Sequence, residues 1–569
     1  MKKGTLDIHY VCELICDSLT DLFAWQAEDP DSPEFGGFIS QEHGLDEPGS
    51  AVMLVSVGMV GYWAAVEKQI GGSLSPASLL KRTNWAIDYL LRTQHESGLI
   101  DLRSCNYDSS PDAAFAVQRL ASVLELTLPL AEKDGEFAHL IEKVKTFTRR
   151  AAEGILIGGF HTPNHRWVIV SALAQAAALF PDLPVHPVIQ QYLDEGIDVD
   201  ADGAYTEHSV GVYDAVCNRS LLLYAHHRGD RNILPFVHRN LTFDMHLVHA
   251  DSTAETGLSR RHDYGTRKVP FSLITGYLLY QLFEPQPQFI GMINFLWEKC
   301  PQPGLDDLIW LVYGLDLLEK RKGPRLDVRL RPNEDYAVLF PKNGIWRLRR
   351  GDLSATLFRG QTRLLALCSG KAELASLKIS QSYFGVGSFI GETIEPTVNG
   401  ARLISSGAQA PNRPGYDYPI GSPVSTDNFY EVRATRPYRK LPPARSSLEV
   451  SEIDGGIRLH YRTHENYPGV TAQIALDFAP GGIWECGDCA IKPAAGQVIF
   501  LKSGYGVMRY GRDALRIGPG ANCHRTWEMR DAETAPGWVR VIIPLKTPID
   551  YTFSITVEKP LLGNLLFPN

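Results

Sequence analysis

Residues 162–167 read Thr-Pro-Asn-His-Arg-Trp and open a long apolar, alanine-rich stretch that runs to residue 180. Threonine followed by proline predicts a helix start, with the hydroxyl as cap and proline at the first helical position. Asn164, His165 and Arg166 then fall in the first turn. Free amides and the positive end of the helix dipole lie there and favour an anion. Asparagine and arginine donate hydrogen bonds, and histidine also exchanges a proton near neutral pH. That combination suits holding an anion and moving a proton. A polar first turn also serves simply to satisfy backbone groups, so this stretch alone does not decide between the two.

Three other polar stretches carry related chemistry. Residues 202–221, DGAYTEHSVGVYDAVCNRSL, bring Tyr205, Glu207 and His208 through to Tyr213 and then into a helix with Arg219. A tyrosine next to cations is a credible proton carrier, although Tyr213 also fits as a core aromatic. Residues 255–267, ETGLSRRHDYGTR, crowd Arg260, Arg261, His262, Asp263 and Arg267 together. This is either a solvated loop or an anion pocket with arginine forks. Residues 98–115 offer Asn106, Tyr107 and Asp112 ahead of a helix, where Asp112 also reads as a first-turn acid.

All four stretches lie where loops enter or leave helices. Together they hold the parts for one reaction on a uronic acid. The hydrogen on carbon 5 of such a sugar is weakly acidic because the neighbouring carboxylate is charged. Hydrogen-bond donors must neutralise that carboxylate and stabilise the enolate-like anion. A base takes the proton and an acid supplies one to the leaving oxygen. The outcome is β-elimination, which needs neither water nor a cofactor.

The elements that must position these residues follow from periodicity. Segments 6–25, 50–69, 77–93, 112–131, 137–153, 165–180, 186–195, 213–228, 232–248, 271–283, 288–298 and 305–320 show helical spacing of apolar residues, some paired as hairpins. Charge and proline cluster at 321–335 as in a linker. Stretches 344–360, 444–453, 456–465, 470–479, 496–511 and 538–545 alternate apolar and polar residues and predict antiparallel strands. The expected organisation is an all-α catalytic domain over 1–322, a linker over 323–335 and an antiparallel β domain over 336–569.

The sequence resembles the heparinase II/III-like and alginate-lyase-like polysaccharide lyases. The resemblance rests on Asn164–His165 opening a helix, on "DGAYTEH…Y", and on "SYFGVGSF" at 382–389. It implies an (α/α) toroid, an incomplete barrel of helical hairpins, followed by an antiparallel β-sandwich. It implies an oligosaccharide or polysaccharide lyase acting by β-elimination, in which Asn164 and His165 neutralise the uronate carboxylate. Tyr213 then matches the catalytic tyrosine, with Tyr205 as alternate and His262 as a second histidine. Arg166, Trp167, Tyr205, Glu207, His208, Arg219, Arg260, Arg261, Asn106, Asp112 and Tyr383 complete the candidate substrate-binding set. The chain departs from the pattern in the Arg-Trp after the Asn–His pair and in His208, where some relatives have glycine. "NYDSSPDAAF" and "SRRHDYGTR" are more similar to the branch acting on rhamnosyl-glucuronate ends of arabinogalactan-type glycans, which implies an exo mode. In the β domain, Tyr383 and the run 430–440, with Tyr430, Arg433, Arg436 and Tyr438, are read either as a cover for the cleft or as a basic edge that discourages strand pairing.

Composition limits the alternatives. Of 569 residues 44% are hydrophobic, enough for large cores, and the net charge of -9 gives a nucleic-acid binder no basic face. The apolar run at 51–66 is 16 residues with glycines and Ser56, short for a membrane span. The N-terminal stretch has acidic residues among its apolar ones and does not read as a signal peptide. The expectation is therefore a cytoplasmic protein, or a periplasmic or secreted one if a leader was removed. A glycan is the expected partner, with no nucleic acid and no membrane, and self-association is left open. Nine scattered cysteines make no disulfide scaffold, and Cys486-Gly-Asp-Cys489 is a lone pair read as ordinary thiols. No cofactor and no catalytic metal is expected. A structural divalent metal is left open, with His246, His249 and Asp251 as a grouping that could hold one. Two rival readings remain: a glycoside hydrolase (uronidase) on the same toroid, with carboxylates drawn from Glu207, Asp112, Asp263 and Glu255, and a non-catalytic glycan-binding protein.

Overall fold

Proline punctuation sets the helical half. The computed structural model describes residues 6–300, 302–326, 330–383, 388–407, 415–464, 467–487, 489–530 and 532–558. Twelve helices occupy the described part of the first 320 residues: α1 (Ile8–Phe23), α2 (Pro48–Glu67), α3 (Pro76–Thr93), α4 (Ser110–Ala131), α5 (Gly135–Ile155), α6 (Pro163–Leu179), α7 (His186–Asp194), α8 (Tyr213–Arg228), α9 (Leu234–Leu247), α10 (Leu273–Tyr280), α11 (Pro287–Lys299) and α12 (Leu305–Lys320). In α2, α3, α4, α6, α7, α9 and α11 a proline occupies one of the first two positions, where its fixed φ suits the helix and its missing N–H costs nothing.

Burial then divides the helices into two kinds. The even-numbered ones are apolar on most sides; α2 buries Val52, Leu54, Val57, Met59 and Val60 around its circumference. Their partners α1, α3 and α5 bury a single face. Both α2 and α4 are long and apolar enough to cross a membrane, yet 72% of each apolar window is buried inside the protein. The packing follows this division. α2 packs on α4, α4 on α6, α6 on α8, α8 on α10 and α10 on α12, and α12 returns to α2 and α4. Each of these helices is backed by an outer neighbour: α3 on α2, α5 on α4, α7 on α6, α9 on α8, α11 on α10 and α1 on α12.

Several polar groups between the even-numbered helices pair with one another. Gln118 Nε2 donates to Ser171 Oγ (2.5 Å) and Ser220 Oγ (2.9 Å), and Gln175 Nε2 donates to Ser122 Oγ at 2.8 Å. Each such buried bond is worth about 1 kcal/mol net, and far more is lost if one partner is removed alone.

Before α4 lies a feature the periodicity missed, a short hairpin of β1 (Ile100–Leu102) and β2 (Asn106–Ser109). It delivers Asn106 and the capping Ser109 to the start of α4.

The chain divides into two compact units, Met1–Val248 with Ser252–Asn333, and His249–Asp251 with Glu334–Asn569. The second unit contains two large sheets. One runs in the order Cys489–Ile491, Ile483–Cys486, Gly506–Tyr510, Asp513–Gly518, Asp550–Val557, Gly456–Thr463, Ser446–Ile453, Gly400–Ser405, Thr393–Thr397. The other runs Val498–Phe500, Val539–Lys546, Thr471–Phe478, Ala372–Gln381, Leu365–Ser369, Leu353–Phe358, Ile345–Arg350, Asp335–Phe340. Leu357, Leu377, Ile474 and Val541 from the second sheet and Val450, Leu459, Leu515 and Ile555 from the first belong to one apolar cluster. The expectation of purely antiparallel pairing needs one correction: Val498–Phe500 runs parallel to Val539–Lys546. A three-residue edge strand reached by a long connection can join in either direction.

Candidate active site

At the start of α6 the Thr162 side chain makes no capping bond. Its Oγ1 instead accepts from Asn164 Nδ2 at 3.1 Å, and the same amide donates to Glu207 Oε2 at 2.8 Å. Both Asn164 amide hydrogens are therefore used within the protein, which is a difference from the expectation of a donor held ready for substrate. The group left over is the buried Asn164 Oδ1, which has no partner. His165 Nδ1 is likewise buried without a partner. The His165 ring stands edge-on to His161 at 4.6 Å and to Phe115 at 6.0 Å. Burial first, and then His161, push its pKa down to about 4, against an opposing pull from Asp112. At neutral pH His165 is an uncharged imidazole.

The second stretch is shaped by a turn. Asp200 Oδ1 accepts from the amides of Asp202, Gly203 and Ala204 at 2.9–3.1 Å. Gly203 has φ +116, and a Cβ there would meet the Arg239 carbonyl at 2.5 Å, so only glycine fits. The chain then passes inward through Tyr205, whose hydroxyl donates to Asn218 Oδ1 at 3.0 Å deep in the core. Glu207 follows, only 5% exposed, and burial raises its carboxyl pKa despite the Asn164 bond and the Arg261 charge.

Asp263 fastens the third stretch to the second. It accepts from Ser209 Oγ (3.0 Å), Gly211 N (3.2 Å) and Ser259 Oγ. Ser209 Oγ in turn accepts from the Tyr213 amide at 3.2 Å, and Arg260 N donates to the Glu207 carbonyl at 3.0 Å. These bonds place Arg261 between two residues of the second stretch. Its Nη1 lies 3.3 Å from Glu207 Oε1, its Nη2 donates to the Tyr213 hydroxyl at 3.4 Å, and the guanidinium sits 4.6 Å from the Tyr213 ring centre. Tyr213 comes first, then Glu207, in holding the Arg261 charge, and the guanidinium pKa is raised. His262 meets the Tyr213 ring edge-on at 5.6 Å.

The fourth stretch contributes Asp112, which accepts from Asn106 Nδ2 at 2.9 Å and from Ser109 Oγ, close enough to act on His165. Asn164, His165, Glu207, Tyr213, Arg261, His262 and Asp112 are thus brought together from four separate segments of one unit. Beneath them lies an acid pair that sequence reasoning missed. Asp214 accepts from Ser209 N (3.2 Å) and Asn240 Nδ2 (3.4 Å) and faces Asp244, both fully buried. Burial raises both carboxyls, Asp214 to about 7 and Asp244 well above its ordinary value, and their mutual interaction raises Asp244 while lowering Asp214, so the pair holds a proton at Asp244. Only the helical spacing of Asn240 and Asp244 on an otherwise apolar face hinted at them.

Other candidates lie elsewhere. Arg166 forms ion pairs with Glu195 and Asp198, both at 3.0 Å, and covers Trp167, whose Nε1 donates to Asp198. Arg219 is buried among the even-numbered helices, donating to Gln118 Oε1 at 3.3 Å and stacking on Trp310 at 4.4 Å. These three brace the fold, and Tyr205 has no exposed hydroxyl to offer. Arg260 is exposed, and His208 is half-buried with φ +52, its Nδ1 3.0 Å from the Thr206 carbonyl. Tyr383 belongs to the second unit, where its hydroxyl donates to the Pro442 carbonyl and its ring stacks on Tyr467. The neighbouring residues 384–387 of the "SYFGVGSF" phrase lie outside the described residues. Tyr430 is 78% exposed and Arg433 pairs with Asp417. His246 Nδ1 bonds the Thr242 carbonyl, and His249 Nδ1 bonds Ser354 Oγ.

No protein-family model and no curated protein matches the sequence. Solved structures do match. A xanthan lyase from Paenibacillus aligns with a TM-score of 0.55 at 10% identity, over 97% of this chain and 57% of that one. This chain therefore spans little more than half the length of that enzyme. The chondroitin AC lyase of Streptomyces coelicolor A3, in complex with chondroitin sulphate, aligns with a TM-score of 0.49 at 13% identity, over 96% of this chain and 79% of that one. What this chain shares with the xanthan lyase is the fold.

Proposed function

We propose that this protein is a polysaccharide lyase that cleaves a uronic-acid glycosidic bond by β-elimination, using an (α/α) toroid followed in the chain by a β-sandwich domain. The observation that carries the reading is Arg261 held between Glu207 and Tyr213, next to the unpartnered His165. The fold shared with a xanthan lyase supports it.

The substrate carboxylate accepts from His165 and from the exposed side of the Arg261 guanidinium, which satisfies the buried ring nitrogen. Asn164 acts one step back by fixing Glu207, and Glu207 fixes Arg261. Tyr213 first passes its proton to His262, leaving a phenolate whose charge Arg261 counters, and as the carbon 5–hydrogen bond breaks the phenolate oxygen takes the carbon 5 proton. Electrons from that bond form the carbon 4–carbon 5 double bond, and the carbon 4–oxygen bond breaks. The leaving oxygen receives a proton from Tyr213 or from His262 beside it. Sugar and leaving group separate with no water consumed.

A uronidase reading is weaker because its candidate carboxylates are engaged as acceptors. Asp263 holds two serines and an amide, Asp112 holds Asn106 and Ser109, Glu207 holds Asn164, and Glu255 holds the Gly257 amide. A pair free to protonate an oxygen and activate a water is what that chemistry requires. The finer reading is an exo-acting enzyme on rhamnosyl-glucuronate ends. A panel of uronate-containing glycans tests both levels. The near-ultraviolet absorbance of an unsaturated uronate is expected to rise, most strongly with rhamnosyl-glucuronate ends. Cleavage without that absorbance would show a hydrolase, and no cleavage of any uronate would show a binding protein.

A further inference from the structure

The far end of α8 from Tyr213 carries a second cluster that the proposed chemistry does not use. Thirteen residues of helix separate the two, about 20 Å. His226 and His227 lie in the last turn of α8, before the left-handed Gly229. Neighbouring helical residues ordinarily diverge, yet both imidazoles turn Nε2 toward one carboxylate. His226 Nε2 lies 3.5 Å from Glu125 Oε1 and His227 Nε2 lies 3.6 Å from Glu125 Oε2. All three ligand atoms fall within 4.8 Å of one another. The His227 side chain is only 9% exposed, and its Nε2 has no hydrogen-bond partner. A buried, orphaned imidazole nitrogen aimed at a carboxylate marks a missing group. Tyr313 completes the surroundings by donating to Glu125 Oε2 at 2.6 Å.

We propose that Glu125, His226 and His227 bind a first-row divalent transition-metal ion, Zn2+ in particular, and so clamp α4 to α8.

The donor set is two imidazoles and one carboxylate without thiolate, which suits zinc, cobalt or nickel rather than calcium or magnesium. Two metal–ligand bonds of about 2.0–2.1 Å at a tetrahedral angle put ligand atoms roughly 3.4 Å apart, close to the spacings found here. The negative end of the α8 dipole adds to the attraction for a cation. One group opposes it. Arg321 Nη2 donates to His226 Nδ1 at 2.6 Å, which leaves the ring proton on Nε2. Metal binding moves that proton to Nδ1 and turns Arg321, which is exposed, outward.

The test is titration of the chelator-treated full chain with Co2+, then Zn2+. One equivalent of Co2+ should give a visible band of tetrahedral intensity with no near-ultraviolet thiolate band, and Zn2+ should abolish it and raise the melting temperature. His227→Ala should weaken binding at least about tenfold. Arg321→Gln, which can accept from Nδ1–H, should tighten it. No cobalt band in the wild type, a thiolate band reporting the cysteines instead, or equal affinity in wild type and Arg321→Gln would overturn the assignment.

Discussion

Arg261 lies against the face of Tyr213, its guanidinium 4.6 Å from the ring centre and Nη2 3.4 Å from the hydroxyl. The two residues are 48 positions apart, and each is fixed by a bond to a different oxygen-bearing anchor: Arg261 by Glu207, the Tyr213 amide by Ser209. Negative charge arriving on the phenol oxygen meets a cation already in place, with no reorganisation needed at that moment.

Tyr213→Phe removes the oxygen that exchanges protons and leaves the ring stacked under Arg261. Turnover should fall by roughly 10²–10⁴-fold while KM changes little. Steady-state kinetics on a cleaved glycan check this; activity within a few-fold of wild type would remove Tyr213 from the chemistry.

Arg261→Ala should cost roughly 10²–10³-fold in kcat, the scale of losing one preorganised donor. Arg261→Lys keeps the charge but not the fork that spans Glu207 and Tyr213, so it should recover only part of the loss. Full recovery by lysine would mean that charge alone matters.

The pH dependence of stability follows from His165. The folded protein holds its pKa at about 4 against an ordinary 6.5, with burial as the main cause. Between those values only the unfolded chain gains the proton, so stability falls as pH drops from 6.5 toward 4 and levels off below. His227 adds to the same slope. Thermal melts of His165→Gln should show a shallower fall across that window than the wild type, and parallel curves would contradict the assignment.

Asp244 gives a slope of the opposite sign. The buried pair retains a proton that the unfolded chain releases near 3.8, so stability declines as pH rises from there through about 7, where Asp214 titrates. Asp244→Asn supplies a permanent N–H toward Asp214. The variant should fold and its melting temperature should decline less between pH 5 and pH 8 than that of the wild type. A steeper decline would place the shared proton elsewhere.

Much of this was legible in the residues. All twelve helical segments read from apolar spacing are helices, and Pro163 begins α6 at the expected place. The strand readings held where apolar and polar residues alternate, as in Gly456–Thr463 with its alternating buried positions. They missed Leu365–Ser369 and Ala372–Gln381, which are buried on both faces and carry no alternation. Within the site, residue types pointed to the four stretches, but partners could not be read. Arg166 and Arg261 look alike in sequence; Asp198 and Glu195 take the first, while Glu207 and Tyr213 take the second. Thr162 looked like a cap until Asn164 claimed its hydroxyl. The Asp214–Asp244 pair depends on two helices meeting, which spacing along one helix does not reveal.

The central claim is that the enzyme removes the carbon 5 proton of a uronate. It is tested most directly by turning over a glycan carrying deuterium at that carbon and weighing the products. The account predicts that the unsaturated product has lost the deuterium with wild-type protein, and that Tyr213→Phe leaves the label in place. Cleavage products that keep the deuterium and gain the mass of water would contradict it.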